Sequence, residues 1–478
     1  MNRNNISMSI ALITLLSGCG SSSDTQTDID SELSVHIKSN QLTGDPSSGK
    51  TVPSISDAKA QLGMKLFFTK GLGGDKDSAC VSCHHPVLGG GDKLSLPIGV
   101  SAIEPDLLGR GRIHTSSAVN YENGWATVPR NAPSTFNVAL WNRSLFWDGR
   151  VEKIEGGMST PDSGFSKVDS NAGANLAVAQ AQFPVTSAEE MRGFVFEQGN
   201  STTQIRDHLA SRLSDSTLVD YIPNSWQSEF TSIYGDNSLT FANIVDAIGA
   251  YENSQLFINT PWKAYVDGNQ TAISTEAKNG AKLFFSSYEA GGVNCVECHS
   301  GDFFTDEKFH VMAIPQVGRG KGDDTVGDDD FGRSRVDSIG KYAFRTPTLL
   351  NVEVTGPWGH SGAYTTLDGI VSHMVDIDSA VAGYDVSLLD SNVKTTNVTA
   401  NTARALAQLK TNRTNEISPH QNVSLSASQV SDLVAFLKTL TDPCTKDRTC
   451  LDKWIPDTSS SGPDSLQLNA VDSSGSLL

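Results

Sequence analysis

The sequence has no hydrophobic run long enough to span a bilayer, and it carries little positive charge. Its apolar stretch near the N-terminus, Ile6–Leu16, is too short for a permanent membrane span. The 478 residues include 36 lysines and arginines against 54 aspartates and glutamates, a formal net charge of -18. Because binding to nucleic acid needs clustered cations, this composition argues against a nucleic-acid partner. It favours an enzyme-sized globular protein that attracts a basic partner.

The N-terminus is typical of a secretory signal. Arg3 and the apolar stretch are followed by Leu16–Cys19 (LSGC), which resembles a lipoprotein cleavage site. We therefore predict a signal peptide over residues 1–18, a lipid on Cys19 and a periplasmic location, with the lipid in the outer membrane. The alternative is an ordinary signal peptide with a chance cysteine. Residues 19–55 are rich in Ser, Thr and Asp and are predicted to form a flexible, lipidated tether.

An internal repeat organises the chain. Each copy begins with a short apolar segment, continues to a Cys-x-x-Cys-His motif and ends with a segment that closes on Asn-Val. In the first copy these are Gly63–Phe68, Cys80–His84 and Arg130–Val138; in the second they are Gly280–Phe285, Cys295–His299 and Arg345–Val352. Because the order is the same and the spacing nearly so, the sequence predicts two duplicated domains.

The Cys-x-x-Cys-His motif has a specific chemical use. A c-type haem needs two thioether bonds and one axial nitrogen ligand, and two cysteines one turn apart followed by His supply all three. A single motif could instead be a zinc or a disulfide redox site, but two motifs in repeated domains of a secreted protein indicate covalent haem. The predicted haem-binding residues are Cys80, Cys83 and His84, and Cys295, Cys298 and His299, with both histidines as proximal iron ligands.

The periodicity indicates helices. Apolar residues recur at spacings of three and four at the start of each copy, in residues 241–257 and in residues 426–440, and no stretch alternates as a sustained strand. The predicted fold class is mainly α, with two tandem cytochrome c-type domains that each hold one covalent haem. The N-terminal domain covers residues 56–260, with an insertion at about 156–176, and the C-terminal domain covers residues 261–442.

Cys444 and Cys450 are the remaining pair of the seven cysteines. In an oxidising compartment we expect them to form a local disulfide that staples the C-terminal tail, residues 443–478. A metal site is the weaker interpretation because no histidine lies nearby.

Beyond these features the sequence resembles the bacterial di-haem cytochrome c peroxidase family, which also contains the methylamine-utilisation protein MauG. The resemblance covers roughly residues 56–440. It is carried by LGMKLFF and GGGD around the first haem motif, by PRNAPSTFN and FWDGR, by FFTDEKFH and by FRTPTLLNVEVTGPWGHSG. It implies that the N-terminal haem reacts with hydrogen peroxide and that the C-terminal haem receives electrons from an outside donor.

The resemblance also implies roles for residues outside the haem motifs. Trp147, in FWDGR, matches the tryptophan between the two haems. Met374, fourteen residues beyond His360, matches the second axial ligand of the C-terminal haem. A thioether ligand raises the potential of an electron reservoir. His373 is the competing ligand.

Two further residues match those with which the family handles peroxide. Gln180 lies four residues before Pro184, and Glu190 lies ten residues after Gln180 and directly before Met191. The resemblance implies that Gln180 holds the peroxide and that Glu190 moves a proton between its oxygens.

The family also binds a calcium ion between its domains through an Asn side chain and backbone carbonyls, which suit a cation that prefers oxygen. Asn131, Thr355 and Pro357 fall at the matching positions. The acidic run from Asp323 to Asp330 is instead interpreted as a solvated loop.

One position departs from many peroxidases of the family. The histidine that ligates the peroxide-reactive haem in the resting oxidised state, sixteen residues after the proximal histidine, is replaced by Val100. Valine cannot bind iron. Either this haem keeps an open position, as in MauG-like members, or His114 in the enlarged loop 101–127 replaces the missing ligand. We expect the open site.

The expected function is reduction of hydrogen peroxide to water by an enzyme with two haem c groups, with electrons from a small periplasmic cytochrome c or cupredoxin. MauG-like oxidation of a partner protein residue or an organic substrate is the alternative. MauG-like members carry tyrosine where Met374 stands, so the two markers disagree. A plain di-haem electron carrier is the second alternative, against which Trp147, Gln180 and Glu190 argue. Relatives are often dimers, so a homodimer is a further expectation.

Overall fold

The computed structural model describes residues 23–115, 126, 128–236, 238–325, 328–338, 340–390 and 392–478. The predicted signal peptide and Cys19 lie outside the described residues. In chain order the α-helices of this part are α1 (Ser23–Ser39), α2 (Ala58–Phe68), α3 (Leu176–Ala181), α4 (Thr202–Ser214), α5 (Trp226–Tyr234), α6 (Phe241–Asn253), α7 (Pro261–Val266), α8 (Thr275–Phe285), α9 (Ser334–Asp337), α10 (Leu367–Val375), α11 (Ile377–Ala382), α12 (Val398–Thr414), α13 (Ala427–Lys438) and α14 (Arg448–Leu451). The prediction of a mainly helical fold is confirmed. No helix in the described ranges combines the length and apolar composition that a bilayer crossing requires.

The strands are short but position important side chains. They are β1 (Ser144–Leu145), β2 (Val151–Ile154), β3 (Gly157–Ser159), β4 (Phe309–His310) and β5 (Phe344–Arg345). Strands β1, β2 and β3 form one antiparallel sheet, and Trp147 lies in the turn between β1 and β2. Strand β4 pairs antiparallel with β5, and the Arg345 amide donates to the Trp147 carbonyl at 2.8 Å. Strands this short leave no alternating pattern for a sequence to show.

Polar side chains cap the N-termini of the main helices by accepting hydrogen bonds from backbone amides of the first turn. The Ser274 side chain accepts from the Ala277 amide at the start of α8. Ser426 and Gln429 form a reciprocal capping box at the start of α13. Buried residues then follow at spacings of three and four, so that each helix turns one face to the core.

Both repeats build the same helix crossing. In the first, α2 packs on α6, and a Cβ atom added at Gly63 would lie 1.9 Å from the Ala247 carbonyl oxygen. In the second, α8 packs on α13, and a Cβ atom at Gly280 would lie 1.9 Å from the Asp432 carbonyl oxygen. Because only glycine allows backbones to approach this closely, the crossing explains the glycine that opens GMKLFF and GAKLFF.

Two hydrophobic clusters surround these crossings, a first cluster around Phe67 and a second cluster around Phe284. The repeat-equivalent Asn137 and Asn351 lie between them. Both donate from their side-chain amides to the Phe257 carbonyl oxygen, at 3.0 and 2.9 Å. The two repeats are therefore joined at one backbone carbonyl.

Part of the stretch predicted to be a flexible tether is folded. Ile29 and Leu33 of α1 are buried in the second cluster. Asp30 forms a buried ion pair with Lys278 at 2.7 Å and accepts a hydrogen bond from the Tyr265 hydroxyl at 2.7 Å. This corrects the prediction, which rested on polar composition. Ile29, Leu33 and Ile37 recur every four residues on one face of α1, and Asp30 pairs with the buried Lys278.

The C-terminal tail returns to the first cluster. Cys444 and Cys450 form a disulfide. Beyond it, Leu451 and Trp454 are buried in the first cluster, and the Tyr251 hydroxyl donates to the Trp454 carbonyl oxygen at 2.8 Å. The segment before the first repeat therefore packs on the cluster of the second repeat, and the segment after the second repeat packs on the cluster of the first.

Candidate functional site

The first Cys-x-x-Cys-His motif lines a cavity, termed the first cavity. A short 3-10 turn, Cys80–Ser82, brings Cys83 and His84 to the same wall, and both thiols are free of disulfides. The Nδ1 atom of His84 lies 3.1 Å from the Gly90 carbonyl oxygen. Burial lowers the pKa of the His84 ring. The imidazole is therefore neutral, and the backbone orients it.

The second motif lines the second cavity in the same way. A 3-10 turn, Cys295–Glu297, leads to Cys298 and His299. The Nδ1 atom of His299 lies 3.0 Å from the Phe304 carbonyl oxygen, and burial lowers the pKa of this ring too. The repeat thus reproduces the hydrogen bond that orients the ring as well as the residues.

Both cavities offer the groups that a covalent haem requires. Two free thiols one turn apart suit two thioether bonds. A neutral imidazole that donates from Nδ1 to a backbone carbonyl leaves Nε2 to bind iron, and the bond fixes the ring's orientation. The residues present therefore fit haem c at each site.

Gln180 and Glu190 lie on the wall of the first cavity. Gln180 is on α3, and Glu190 is on a π-helical turn, Ala188–Arg192, a feature frequent at functional sites. The Ser78 hydroxyl donates to the Glu190 carbonyl oxygen at 2.8 Å, and burial raises the pKa of the Glu190 carboxyl. A carboxyl with a raised pKa is suited to general acid-base chemistry.

Glu252 and Lys321, which were not predicted from the sequence, also line the first cavity. Glu252, on α6, is 5% exposed, and burial raises its pKa to about 8. Lys321 comes from the second half of the chain. Burial, with the nearby Arg150 and Arg130 cations, lowers the pKa of Lys321 to about 8. Both reach the cavity through the tertiary fold, so no short-range motif marks them.

Trp147 lines both cavities. Its ring is buried, and its Nε1 donates to the Asn131 carbonyl oxygen at 2.9 Å. Its own carbonyl accepts from the Arg345 amide at 2.8 Å. The indole is thus fixed between the two sites.

On the described wall of the first cavity, His84 is the only histidine. Val100 is buried nearby, and its amide donates to the Glu189 carbonyl at 3.3 Å. His114 is also buried, but it does not line the cavity, and its Nδ1 lies 2.8 Å from the Thr115 carbonyl oxygen. Residues 116–125 and 127 of the same loop lie outside the described residues.

Met374 lines the second cavity, and its neighbour His373 does not. Both ring nitrogens of His373 have hydrogen-bond partners. The Tyr364 hydroxyl is 2.7 Å from Nδ1, and the Met312 carbonyl oxygen is 2.8 Å from Nε2. Burial lowers the pKa of His373 to about 4. Of the two competing ligands, Met374 is the one with access to the site.

The three positions matched to the family's calcium site, Asn131, Thr355 and Pro357, all line the second cavity. Asn131 donates from Nδ2 to the Leu94 carbonyl at 3.0 Å, which leaves its amide oxygen as a ligand atom. Amide and carbonyl oxygens are ligands that Ca²⁺ accepts, so the group fits a calcium ion.

The acidic run is not a solvated loop, and that prediction is wrong. Asp328, Asp329 and Asp330 are all buried, at 4% exposure or less. Asp330 accepts two bonds from Arg130, at 2.6 and 2.8 Å, and Asp329 accepts one from the Tyr342 hydroxyl at 2.8 Å. Partners from distant parts of the chain offset the cost of burying these charges, and the local sequence does not reveal them.

A mainly helical fold with two Cys-x-x-Cys-His cavities and one shared tryptophan defines a class of di-haem oxidoreductases. Residues 57–271 match the family model described as di-haem cytochrome c peroxidase. Over these residues the chain resembles this family, which includes MauG, and the chain is an oxidoreductase of the haem peroxidase type. The resemblance inferred from the sequence is confirmed.

The relatives include both MauG proteins and cytochrome c peroxidases. The chain is 27% identical over 315 residues to methylamine utilization protein MauG of Methylophilus methylotrophus, covering 66% of this chain and 71% of that protein. It is 26% identical over 323 residues to cytochrome c551 peroxidase of Pseudomonas aeruginosa, covering 67% and 72%. The solved diheme peroxidase BthA from Burkholderia thailandensis superimposes with a TM-score of 0.54 at 18% identity, over 90% of this chain and 93% of that one. This last likeness shows the fold alone.

Proposed function

We propose that the chain is a di-haem c-type cytochrome peroxidase, with one covalent haem in each of two tandem cytochrome c-type domains, residues 56–260 and 261–442. It reduces hydrogen peroxide to two water molecules with two protons and two electrons. The electrons come from a small periplasmic cytochrome c or cupredoxin, enter at the second site and are used at the first. The contrast between the cavities carries this proposal: Gln180 and Glu190 line the first, whereas Met374 lines the second.

Haem bound through Cys80, Cys83 and His84 would supply the iron that exchanges electrons with peroxide. Gln180 would hold the peroxide through its side-chain amide. Glu190 would take the proton from the near oxygen and give it to the far oxygen, so that the far oxygen leaves as water. A raised pKa brings Glu190 nearer to the working pH, where one carboxyl both accepts and donates a proton.

The second cavity suits electron storage. His299 and Met374 would both hold the iron of the second haem, and a thioether ligand favours the reduced state. The wall around Met374 is largely aliphatic, from α10 and α13, including Ile370 and Leu433. Trp147, fixed between the cavities, would carry electrons from the second site to the first.

The proposed surroundings follow from the same residues. We place the protein in the periplasm, tethered to the outer membrane by a lipid on Cys19, and the Cys444–Cys450 disulfide supports an oxidising compartment. A calcium ion would bind the Asn131 amide oxygen and the backbone carbonyls of Thr355 and Pro357. The assembly would be a homodimer.

MauG-like oxidation of a partner protein residue or an organic substrate is the second candidate. It is favoured by one observation: the described wall of the first cavity offers no second histidine, so peroxide has access without prior reduction. A non-catalytic electron carrier is disfavoured because such a carrier needs no Gln180 or Glu190 beside its iron.

Rapid-mixing absorbance with hydrogen peroxide tests the proposal, on the fully oxidised protein and again after one-electron reduction. We expect the oxidised protein to react at once, and a reduced small cytochrome c to be oxidised in the steady state. Donor oxidation in both forms supports the peroxidase. Reaction without donor oxidation, together with new Trp or Tyr modification on an added partner protein by mass spectrometry, would establish the second candidate. No reaction in either form would leave only the carrier.

A further inference from the structure

Arg345 is a buried guanidinium at the junction of the two cavities. It lines both of them and is 4% exposed. Its Nε donates to the Phe146 carbonyl oxygen at 3.1 Å, and its guanidinium carbon lies 3.5 Å from the centre of the Trp141 ring. Trp141 also lines both cavities. These contacts hold the group in place without neutralising its charge.

The charge has no hydrogen-bonded carboxylate among the described residues. The Nη1 atom of Arg345 is enclosed and has no hydrogen-bond partner there. Glu307 is the acid whose charge acts on Arg345. Its carboxylate, however, accepts from the backbone amides of Asn142 at 3.0 Å and Arg143 at 2.8 Å. Burial lowers the pKa of Arg345 to about 9, so the group remains cationic at neutral pH.

Arg130, the equivalent arginine of the first repeat, has the carboxylate partners that Arg345 lacks among the described residues. Arg130 opens RNAPSTFNV as Arg345 opens RTPTLLNV, and it is similarly buried. Arg130 donates to Asp148 at 2.6 Å and to Asp330 at 2.6 and 2.8 Å. Two carboxylates thus neutralise one arginine, whereas the other keeps an unsatisfied N–H group. A buried cation without a partner is costly, and a planar guanidinium binds carboxylate in preference to other groups.

We propose that Arg345 is the binding site for a carboxylate supplied by a bound group: a haem propionate. The inference rests on the proposed function, which places a haem in each cavity that Arg345 lines. Either haem offers the same carboxylate chemistry. A cation beside a haem stabilises the reduced state, because reduction removes one positive charge from the iron. Arg345 therefore raises the midpoint potential of the haem whose propionate it holds.

Spectroelectrochemistry of the holoprotein tests this with Arg345→Met, Arg345→Lys and the control Arg143→Met, which removes an exposed guanidinium nearby. We expect Arg345→Met to lower the midpoint potential of one haem, and the haem that shifts identifies the source of the propionate. Arg345→Lys keeps the charge, so its potential should stay near that of the wild type. Its propionate bending band in resonance Raman should shift, because the bidentate geometry is lost.

Haem content, measured by intact-mass spectrometry, distinguishes failure of the proposed function from failure of this inference alone. A wild-type chain without covalent haem would refute the proposed function and this inference together. Two haems in every variant, with potentials and propionate bands that match those of Arg143→Met, would refute the inference alone. If Arg345→Met does not assemble, an unchanged propionate band in Arg345→Lys would still overturn it.

Discussion

The two cavities start from the same motif and differ in their walls. In each, two free thiols lie beside a neutral histidine whose Nδ1 contacts a backbone carbonyl. The first cavity then adds the carboxyls of Glu190 and Glu252, both with a pKa raised by desolvation, and the amide of Gln180. The second adds Met374 and aliphatic side chains of α10 and α13, and its wall includes the exposed carboxylate of Glu297.

This difference teaches how a duplicated fold can divide one reaction. The repeated residues fix where each haem would be held, and they are common to both halves. Proton transfer requires groups that titrate near the working pH, and electron storage requires a ligand that sets a potential. Residues outside the repeat provide the titrating groups in one copy and the potential-setting ligand in the other. The first cavity is therefore suited to proton transfer, and the second to electron storage.

Removing the proton carrier of the first cavity should have the largest effect. Glu190→Gln keeps the size of the side chain but cannot move a proton, so we expect peroxide turnover to fall by about 10² to 10⁴-fold with both haems retained. Glu189→Gln is the matched control, because Glu189 pairs with Arg319 instead of lining the cavity. Steady-state donor oxidation measures both. Equal losses in the two variants would remove Glu190 from the mechanism.

Removing the thioether should convert the second cavity into a poorer electron reservoir. Met374→Leu should lower the midpoint potential of the second haem by on the order of 0.1 V, within the span that axial ligands set. His373→Gln should change it far less, because His373 is bonded to Tyr364 and to the Met312 carbonyl. Spectroelectrochemistry of the two variants decides. A larger shift in His373→Gln would make histidine the ligand.

Neutralising Glu252 should change the pH dependence of stability. Its pKa is raised to about 8 in the folded chain. Between its ordinary pKa and that value, the unfolded chain therefore loses a proton that the folded chain keeps. Stability from this group is complete at low pH and is lost as the pH rises. Between pH 5 and 8 the wild type should lose about 1 to 3 kcal/mol more free energy of unfolding than Glu252→Gln.

Denaturant unfolding of the holoprotein at the two pH values measures this difference. Glu297→Gln in the second cavity serves as the control, because this substitution also removes a glutamate from a cavity wall but at an exposed position. Parallel pH profiles for the wild type and Glu252→Gln would show that Glu252 is ionised in the folded chain.

The smallest effect is expected at His114. Because His114 does not line the first cavity, His114→Gln should leave the absorbance spectrum of the oxidised protein unchanged. Conversion of a low-spin haem to a high-spin haem in this variant would identify His114 as a ligand and remove the open first site from the comparison.

Local patterns carry only part of this organisation. The helices that open each repeat and the Cys-x-x-Cys-His turns are specified by residues close in sequence, so periodicity and spacing predict them. Lys321 reaches the first cavity from the second half of the chain, and Asp330 is buried because Arg130 lies beside it in space. Neither contact leaves a local pattern, and composition misrepresented both the acidic run and α1.

The packing of α1 on the second cluster and of the C-terminal tail on the first has a consequence for the order in which the clusters fold. Leu451 and Trp454 follow both repeats in the sequence, so the first cluster stays incomplete until this later segment packs on it. In contrast, α1 precedes both repeats in the sequence, so it is already present when the second repeat is synthesised. A chain truncated before Leu451 would therefore keep the whole second cluster and lose part of the first, which contributes Phe67 and Ile248 to the wall of the first cavity.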